Sequence, residues 1–235
     1  MDKITVYPLW DSPVLRFAAR ELRALGVEVA ENCRSKVTHV LLPVPSPTVK
    51  EEELPPDVIL VGGNLNGFPD TYRKIDLLQD AQYVAENAAL TADCALRLLG
   101  QQLGMAFRDC PILIVGWGRI GKCLCAALKA LGAKVTVAAR KETDRGMLKA
   151  LGYRAIPVGE IDSKSYRAIL NTVPAPVLDC SDYDGAAIDL ASAQGLVGAK
   201  VLWARGLPGK MLPESSGQLI ARSIARILGK KEADQ

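Results

Sequence analysis

The chain has 235 residues, with 29 Lys and Arg against 26 Asp and Glu, a formal charge of +3, and 49% of its residues are hydrophobic. That length holds two small domains or one large one, and the slight positive excess with only 5% aromatic residues excludes the basic, stacking surface of a nucleic-acid binder. No apolar run approaches the ~20 residues that span a bilayer, and the opening Met-Asp-Lys-Ile-Thr lacks a signal-peptide core, so a cytoplasmic protein with no membrane or nucleic-acid partner is expected.

In chain order, residues 3–8 read as a strand and 12–26 as a helix, with Ser12 as N-cap, Pro13 at the first helical position and Gly26 as the stop. Short apolar runs follow at 27–30, 38–44 and 57–61. Residues 43–56 hold five prolines and three consecutive glutamates, which describes an exposed loop. Residues 84–107 read as a long helix, with Ala85, Ala88, Ala89, Ala92, Leu96, Leu99 and Leu103 at helical spacing. The six cysteines, Cys33, Cys94, Cys110, Cys123, Cys125 and Cys180, form no C-x-x-C pair and no zinc spacing, so they read as reduced thiols and no metal is expected.

The second half carries the clearest motif. The run PILIV (111–115) has the continuous apolarity of a parallel strand buried on both faces. Gly116, Trp117, Gly118, Arg119, Ile120 and Gly121 follow at once, then a helix over 119–131 stopped by Gly132, then a strand over 134–139. The three glycines serve different physical needs. Gly116 permits a tight turn, Gly118 lets backbone approach a pyrophosphate, and Gly121 lets the helix sit close to the strand. The helix N-terminus adds free N–H groups and a positive dipole end. Together these predict an α/β protein: a Rossmann-type doubly wound parallel sheet over 87–213, with a smaller N-terminal α/β domain over 1–86 on the substrate side. The final helix, 214–228, carries Leu219, Ile220, Ile224, Ile227 and Leu228 on one face and is expected to pack back on the first domain. Over 110–210, helices are expected on both faces of the sheet.

The dinucleotide follows from the end of the second strand. NAD-binding chains usually place Asp or Glu there for the ribose 2′-OH, whereas this strand ends Ala138-Ala139-Arg140-Lys141. Arg140 and Lys141 suit a 2′-phosphate, so NADP is expected, with NAD left open. Two further strands, 168–173 before Pro174 and 186–190, would bring Asn171, Thr172, Val173, Pro174, Asp189 and Ser192 toward the cofactor. The only histidine, His39, lies in the first half, so the histidine acid/base of a 2-hydroxy-acid dehydrogenase has no counterpart in the second. No catalytic acid or base is assigned.

On these residues the chain resembles the A subunit of dipicolinate synthase, a sporulation enzyme of endospore-forming Gram-positive bacteria. The likeness is carried by VGWGRIGKCLCAALKALGAKVTVAAR (115–140), NTVP (171–174), DLAS (189–192) and, most specifically, ARGLPGKMLPESSGQLIARSIARIL (204–228). LLPV (41–44) and N-x-x-x-T-x-D (87–93) add to it. It covers residues 38–228 and is strongest after 110. Two departures stand out: the first domain is shorter than the family's, and Ala193-Gln194-Gly195 replaces a longer loop bearing Arg-Pro-Gly-Gly.

The resemblance implies NADP-dependent oxidation of a dihydro- or hydroxytetrahydrodipicolinate to dipicolinate, in a cleft between the domains. It also implies a partner, the flavoprotein-like B subunit. Aromatisation drives such a reaction, which makes the missing histidine tolerable. Two substrate carboxylates need donors, and Ser46, Thr48, Asn87, Thr91 and Arg205 are the candidates. The other readings are a non-catalytic regulatory protein that binds NAD(P) and a dehydrogenase of another imino or hydroxy acid. A homo-oligomer is compatible with the sequence, which does not specify one.

Overall fold

The computed structural model describes residues 4–33, 36–47 and 49–229. The chain divides into two compact units, Met1–Asn87 with Pro208–Gln235, and Ala88–Leu207.

In the first unit, strand β1 (Thr5–Pro8) leads into helix α1 (Pro13–Ala24). The Ser12 hydroxyl accepts the Leu15 N–H at 3.2 Å, satisfying one donor that the helix start leaves open. Gly26, at φ +73°, turns the chain out at the other end. Leu15, Ala18, Ala19 and Leu22 recur at helical spacing and are buried. Strands β2 (Glu28–Val29), β3 (His39–Leu41), β4 (Ile59–Gly62) and β5 (Arg73–Asp76) complete a five-stranded sheet in the order β2-β1-β3-β4-β5, every pair parallel. Val40, Leu42, Leu54, Val58, Leu60, Leu65 and Phe68 form one core cluster of this unit.

Helix α2 (Ala81–Gln102) starts at Ala81 rather than residue 84 and stops at Gln102 rather than 107. Its start is fixed by Asp80, whose carboxylate accepts the Tyr83 N–H at 2.7 Å. Arg226 pairs with the same carboxylate at 2.6 Å. The boundary between the units falls inside α2, after Asn87.

The second unit holds β6 (Pro111–Val115), α3 (Arg119–Ala130), β7 (Lys134–Ala138), α4 (Glu142–Ala150), β8 (Arg154–Ile156), β9 (Ala168–Asn171), β10 (Leu178–Asp179), β11 (Ala186–Asp189), β12 (Leu196–Val197) and β13 (Leu202–Trp203). Six strands make a sheet in the order β13-β11-β9-β6-β7-β8, every pair parallel. The order reverses between β6 and β9, which is the switch point where such sheets open a crevice. In register, Val115 lies beside Ala138 and Asn171, Asn171 beside Asp189, and Asp189 beside Trp203, so these carboxyl ends share one edge.

The expected helices on both faces are found only in part. Among the described residues, α3 and α4 serve the crossovers from β6 to β8, but no α-helix lies between β8 and β13. The connecting segments are rich in proline and polar residues and lack a helical period. Tyr166, Cys180, Tyr183 and Leu196 cover Leu113, Val115 and Ile169 instead, with β10 and β12 pairing as a separate two-stranded sheet.

Helices α5 (Leu207–Met211) and α6 (Pro213–Ile227) end the chain's described part. Helix α6 lies along α1 in the first unit and buries Leu219, Ile220, Ala221, Ile224 and Ala225. The approach is close at Gly217, where a Cβ would stand 2.6 Å from the Val14 carbonyl oxygen and 2.7 Å from the Ala18 nitrogen. No helix among the described residues is long and apolar enough to cross a membrane.

Candidate functional site

The site is built at the switch point, from the ends of β6, β7 and β9. After Val115 the chain turns at Gly116, φ +103°, where a Cβ would meet Thr172 Oγ1 at 2.5 Å and Val173 Cγ2 at 2.8 Å. Glycine is demanded there twice, by the dihedral and by the loop after β9. Thr172 fixes that loop by donating to the Val115 carbonyl at 2.9 Å. A Cβ on Gly121 would lie 2.4 Å from the Gly116 carbonyl oxygen, so helix and turn are in contact at backbone distance.

Gly118 is different. It is the N-cap of α3, its backbone is extended at φ −81°, and a Cβ there would meet nothing within 4 Å. Neither folding strain nor internal packing requires a glycine at this position. The open space lies over the start of α3, where no side chain caps the helix and the first N–H groups have no intrahelical partner. Arg119 and Lys122 are exposed in the first turn of α3. This arrangement suits a pyrophosphate: free N–H donors, a positive dipole end, and room for close approach. Trp117 leans on Tyr153 with ring centroids 5.9 Å apart, and Lys122 Nζ sits 5.7 Å from the Trp117 ring centre.

At the end of β7, Ala138 and Ala139 are buried while Arg140 and Lys141 are exposed. No carboxylate precedes Glu142. Arg145, from the first turns of α4, donates through Nη1 to the carbonyls of Ala139 at 2.9 Å and Arg140 at 2.7 Å. Arg145 is not among the residues expected from the sequence; a cation shortly after a strand end without an acid was the available signal.

At the ends of β9 and β11, Asn171 and Asp189 take a loop-stabilising role, one of the two roles open to them from the sequence. Both are fully buried and turned inward. Asn171 donates to Asp189 and to the Val173 carbonyl and accepts the Val173 N–H, while Asp189 also accepts the N–H groups of Ala191, Gly195 and Leu196. Their polar groups shape the loops; of the residues after β9, Thr172 and Val173 are half-buried, Val173 packing on the core cluster, and Pro174 is exposed. Ser192 is exposed.

Arg205 follows β13 on the same carboxyl edge, exposed, with its guanidinium 5.3 Å from the Trp203 ring centre. The Trp203 indole N–H donates to the Ala191 carbonyl at 3.0 Å, which anchors the ring beneath the cation. Of the other candidates, Ser46 and Asn87 belong to the first unit and Thr91 to the second. Ser46, in the first unit, donates to the Pro43 carbonyl and accepts the Gly63 N–H, so its hydroxyl is engaged within the chain. Thr48 lies outside the described residues. Asn87 and Thr91 stand one turn apart on α2, with Thr91 buried.

His39 is buried in β3, with Nδ1 2.9 Å from Thr38 Oγ1 and no partner for Nε2 among the described residues. Burial and the charge of Arg73 lower its pKa, which keeps the imidazole neutral. Burial pushes the Cys125 thiol up to about 12 and raises those of Cys94, Cys110 and Cys180, which disfavours their thiolate forms. No group of metal-binding side chains exists among the described residues.

No protein-family model matches the chain. The dipicolinate synthase A subunit of Bacillus subtilis (strain 168) is 26% identical over 164 residues, a stretch covering 63% of this chain and 55% of that protein. The crystal structure of the dipicolinate synthase A subunit from Bacillus halodurans superposes with a TM-score of 0.80 over 97% of this chain and 99% of that one, at 20% identity. The chain resembles the A subunit of dipicolinate synthase. The matched stretch spans about half the length of the Bacillus subtilis protein. The fold is shared with a transhydrogenase of Sinorhizobium meliloti (TM-score 0.70, 12% identity, 95% and 93% of the two chains) and with an L-alanine dehydrogenase (TM-score 0.64, 9% identity, 96% and 89%). The A subunit of dipicolinate synthase, these proteins and this chain thus share an α/β, Rossmann-like architecture, one used by dehydrogenases.

Proposed function

We propose that this chain is an NADP-dependent oxidoreductase of the kind represented by the dipicolinate synthase A subunit, oxidising a dihydro- or hydroxytetrahydrodipicolinate to dipicolinate. The observation that carries the reading is the open space over Gly118 at the β6/β9 switch point, lined by the uncapped start of α3. Gly116, Trp117, Gly118, Arg119, Ile120 and Gly121 hold the pyrophosphate, Thr172, Val173 and Pro174 flank the nicotinamide side, and Arg140 and Lys141 take the 2′-phosphate. The absence of a strand-end acid supports NADP over NAD.

When bound, NADP⁺ would supply the acceptor for a hydride from a ring carbon of the substrate. A proton leaves the neighbouring ring atom to water, and the ring becomes aromatic; the hydroxylated substrate first loses water. The chain itself positions the ring and does not need a strong base. Arg205, set on the Trp203 face, presents its fork to one substrate carboxylate. Ser46, Thr48, Asn87 and Thr91 remain the candidates for the other. The setting is cytoplasmic, in dipicolinic acid formation during sporulation, and the partner is the flavoprotein-like B subunit.

The test is the growth of dipicolinate absorbance with purified protein, NADP⁺ and enzymatically generated substrate, with and without the B subunit. Turnover in either condition supports the reading. Tight NADPH binding without turnover in either sinks the dipicolinate assignment; it moves the function to a dinucleotide-binding regulatory protein, or to the dehydrogenase of another imino or hydroxy acid if a substrate panel finds one.

A further inference from the structure

The end of β7 holds an arrangement that the pyrophosphate turn does not explain. Arg140, Lys141 and Arg145 lie within one loop and helix start, and among the described residues none of the three forms an ion pair. The carboxylates nearest in sequence, Glu142 and Asp144, sit in the first turn of α4, where the helix dipole already favours them. Three cations gathered without a counter-ion repel one another, and a bound dianion relieves that repulsion.

Arg145 is the ordered member of the three. Its Nη1 spans the carbonyls of Ala139 and Arg140, at 2.9 and 2.7 Å. This fixes the backbone from which Arg140 and Lys141 project. It also masks two partly negative oxygens that would otherwise face an anion at the strand end. Nε and Nη2 have no partner among the described residues, so one edge of the fork remains for a ligand.

We propose that Arg145 is the residue that sets preference for a ribose 2′-phosphate, pinning the β7 end through Nη1 and offering its free edge, with Arg140 and Lys141, to the phosphate. The inference rests on the dinucleotide reading above and deepens it. The ligand chemistry is a phosphomonoester on a ribose, and the role is specificity, with no part in hydride transfer.

The experiment measures affinities of wild type, Arg145→Ala, Arg145→Lys and Arg140→Ala by calorimetry for NADPH, NADH, 2′,5′-ADP and 5′-AMP. Wild type is expected to favour each 2′-phosphorylated ligand. Arg145→Ala should weaken NADPH and 2′,5′-ADP at least tenfold while NADH and 5′-AMP stay within twofold. Arg145→Lys should keep the melting temperature and NADH binding but recover the NADPH preference only in part, because an ammonium has no fork. Equal loss for all four ligands in Arg145→Ala would make the residue a backbone brace alone and overturn the proposal, as would an unchanged NADPH-to-NADH ratio. If Arg145→Ala fails to fold, the ratio in Arg145→Lys decides the matter. Wild type binding NADH and NADPH alike overturns this inference together with the 2′-phosphate role of Arg140 and Lys141, and leaves the dinucleotide reading standing; wild type binding none of the four overturns the dinucleotide reading itself.

Discussion

Asn171 Nδ2 donates to Asp189 Oδ1 at 3.0 Å, joining the ends of two adjacent strands through side chains with no solvent exposure. The pair organises the loops that follow β9 and β11. Asp189→Ala would orphan the N–H groups of Ala191, Gly195 and Leu196 and remove one of the two acceptors of the Asn171 amide. Each buried donor left unpaired costs ~1–3 kcal/mol, so a loss of at least about 3 kcal/mol is expected in urea unfolding. Cofactor affinity should fall as well, although neither residue has a polar group left for the ligand. Asp189→Ala with unchanged stability would contradict the bracket.

The glycines of the turn should separate by mechanism. Gly121→Ala forces a Cβ toward the Gly116 carbonyl, so it should destabilise the fold by ~1–3 kcal/mol and weaken binding indirectly. Gly118→Val fills empty space on an ordinary backbone conformation. Its melting temperature should stay near that of wild type while binding of both NADPH and NADH disappears. Thermal melts run beside a fluorescence titration distinguish the two, and a folded Gly118→Val that still binds dinucleotide would remove the pyrophosphate from this position.

Much of this turn was legible because the spacing of its glycines between a strand and a helix follows from the general geometry of strand–helix packing and phosphate approach. The apolar run 111–115 likewise announces a buried strand. The Asn171–Asp189 bracket was not legible, since partners 18 positions apart are joined only by strand pairing. The edge strands β5 and β8 also escaped notice. β5 reads Arg-Lys-Ile-Asp, and a short strand at a sheet edge needs no apolar run. The start of α2 could have been read from Asp80, a capping residue three positions before Tyr83. The helices expected between the later strands failed because a parallel crossover needs only enough chain and apolar cover, which here come from Tyr166, Tyr183 and Leu196.

His39 gives a pH dependence with a definite sign. Its pKa in the folded chain is lowered from 6.5 by burial and by Arg73. The unfolded chain therefore binds the proton more readily, and stability is complete above about pH 6.5 and declines as the pH falls toward the lower folded value. The decline cannot exceed about 1.4 kcal/mol per pH unit for one group. Urea midpoints between pH 8 and 5 should show it, and His39→Asn should flatten this part of the profile. A midpoint that rises on acidification, or one that falls identically in the variant, would assign the effect to other groups.

Arg205 and Trp203 can be tested together. Arg205→Ala should raise the substrate KM more than it changes NADPH affinity, by an amount near the ~1.5–3 kcal/mol scale of a charge-assisted hydrogen bond. Arg205→Lys should rescue only partly. Trp203→Leu removes the ring beneath the guanidinium and should produce a milder rise in KM with Arg205 intact. Steady-state kinetics on the dipicolinate reaction check all three, and KM values unchanged in Arg205→Ala would detach this arginine from the substrate.

The partnership of α1 with α6 bears on how the chain is made. Ribosomes deliver α1 about 200 residues before α6, yet the two lie against each other, and a Cβ on Gly217 would reach the backbone of Val14 and Ala18. During synthesis the N-terminal unit stays incomplete, with part of α1 uncovered, while the intervening residues 88–207 emerge as a compact body with their own sheet. The middle of the polypeptide is thus free to fold before its beginning. A stop before α6 should yield a protein whose dinucleotide turn forms while its N-terminal sheet aggregates.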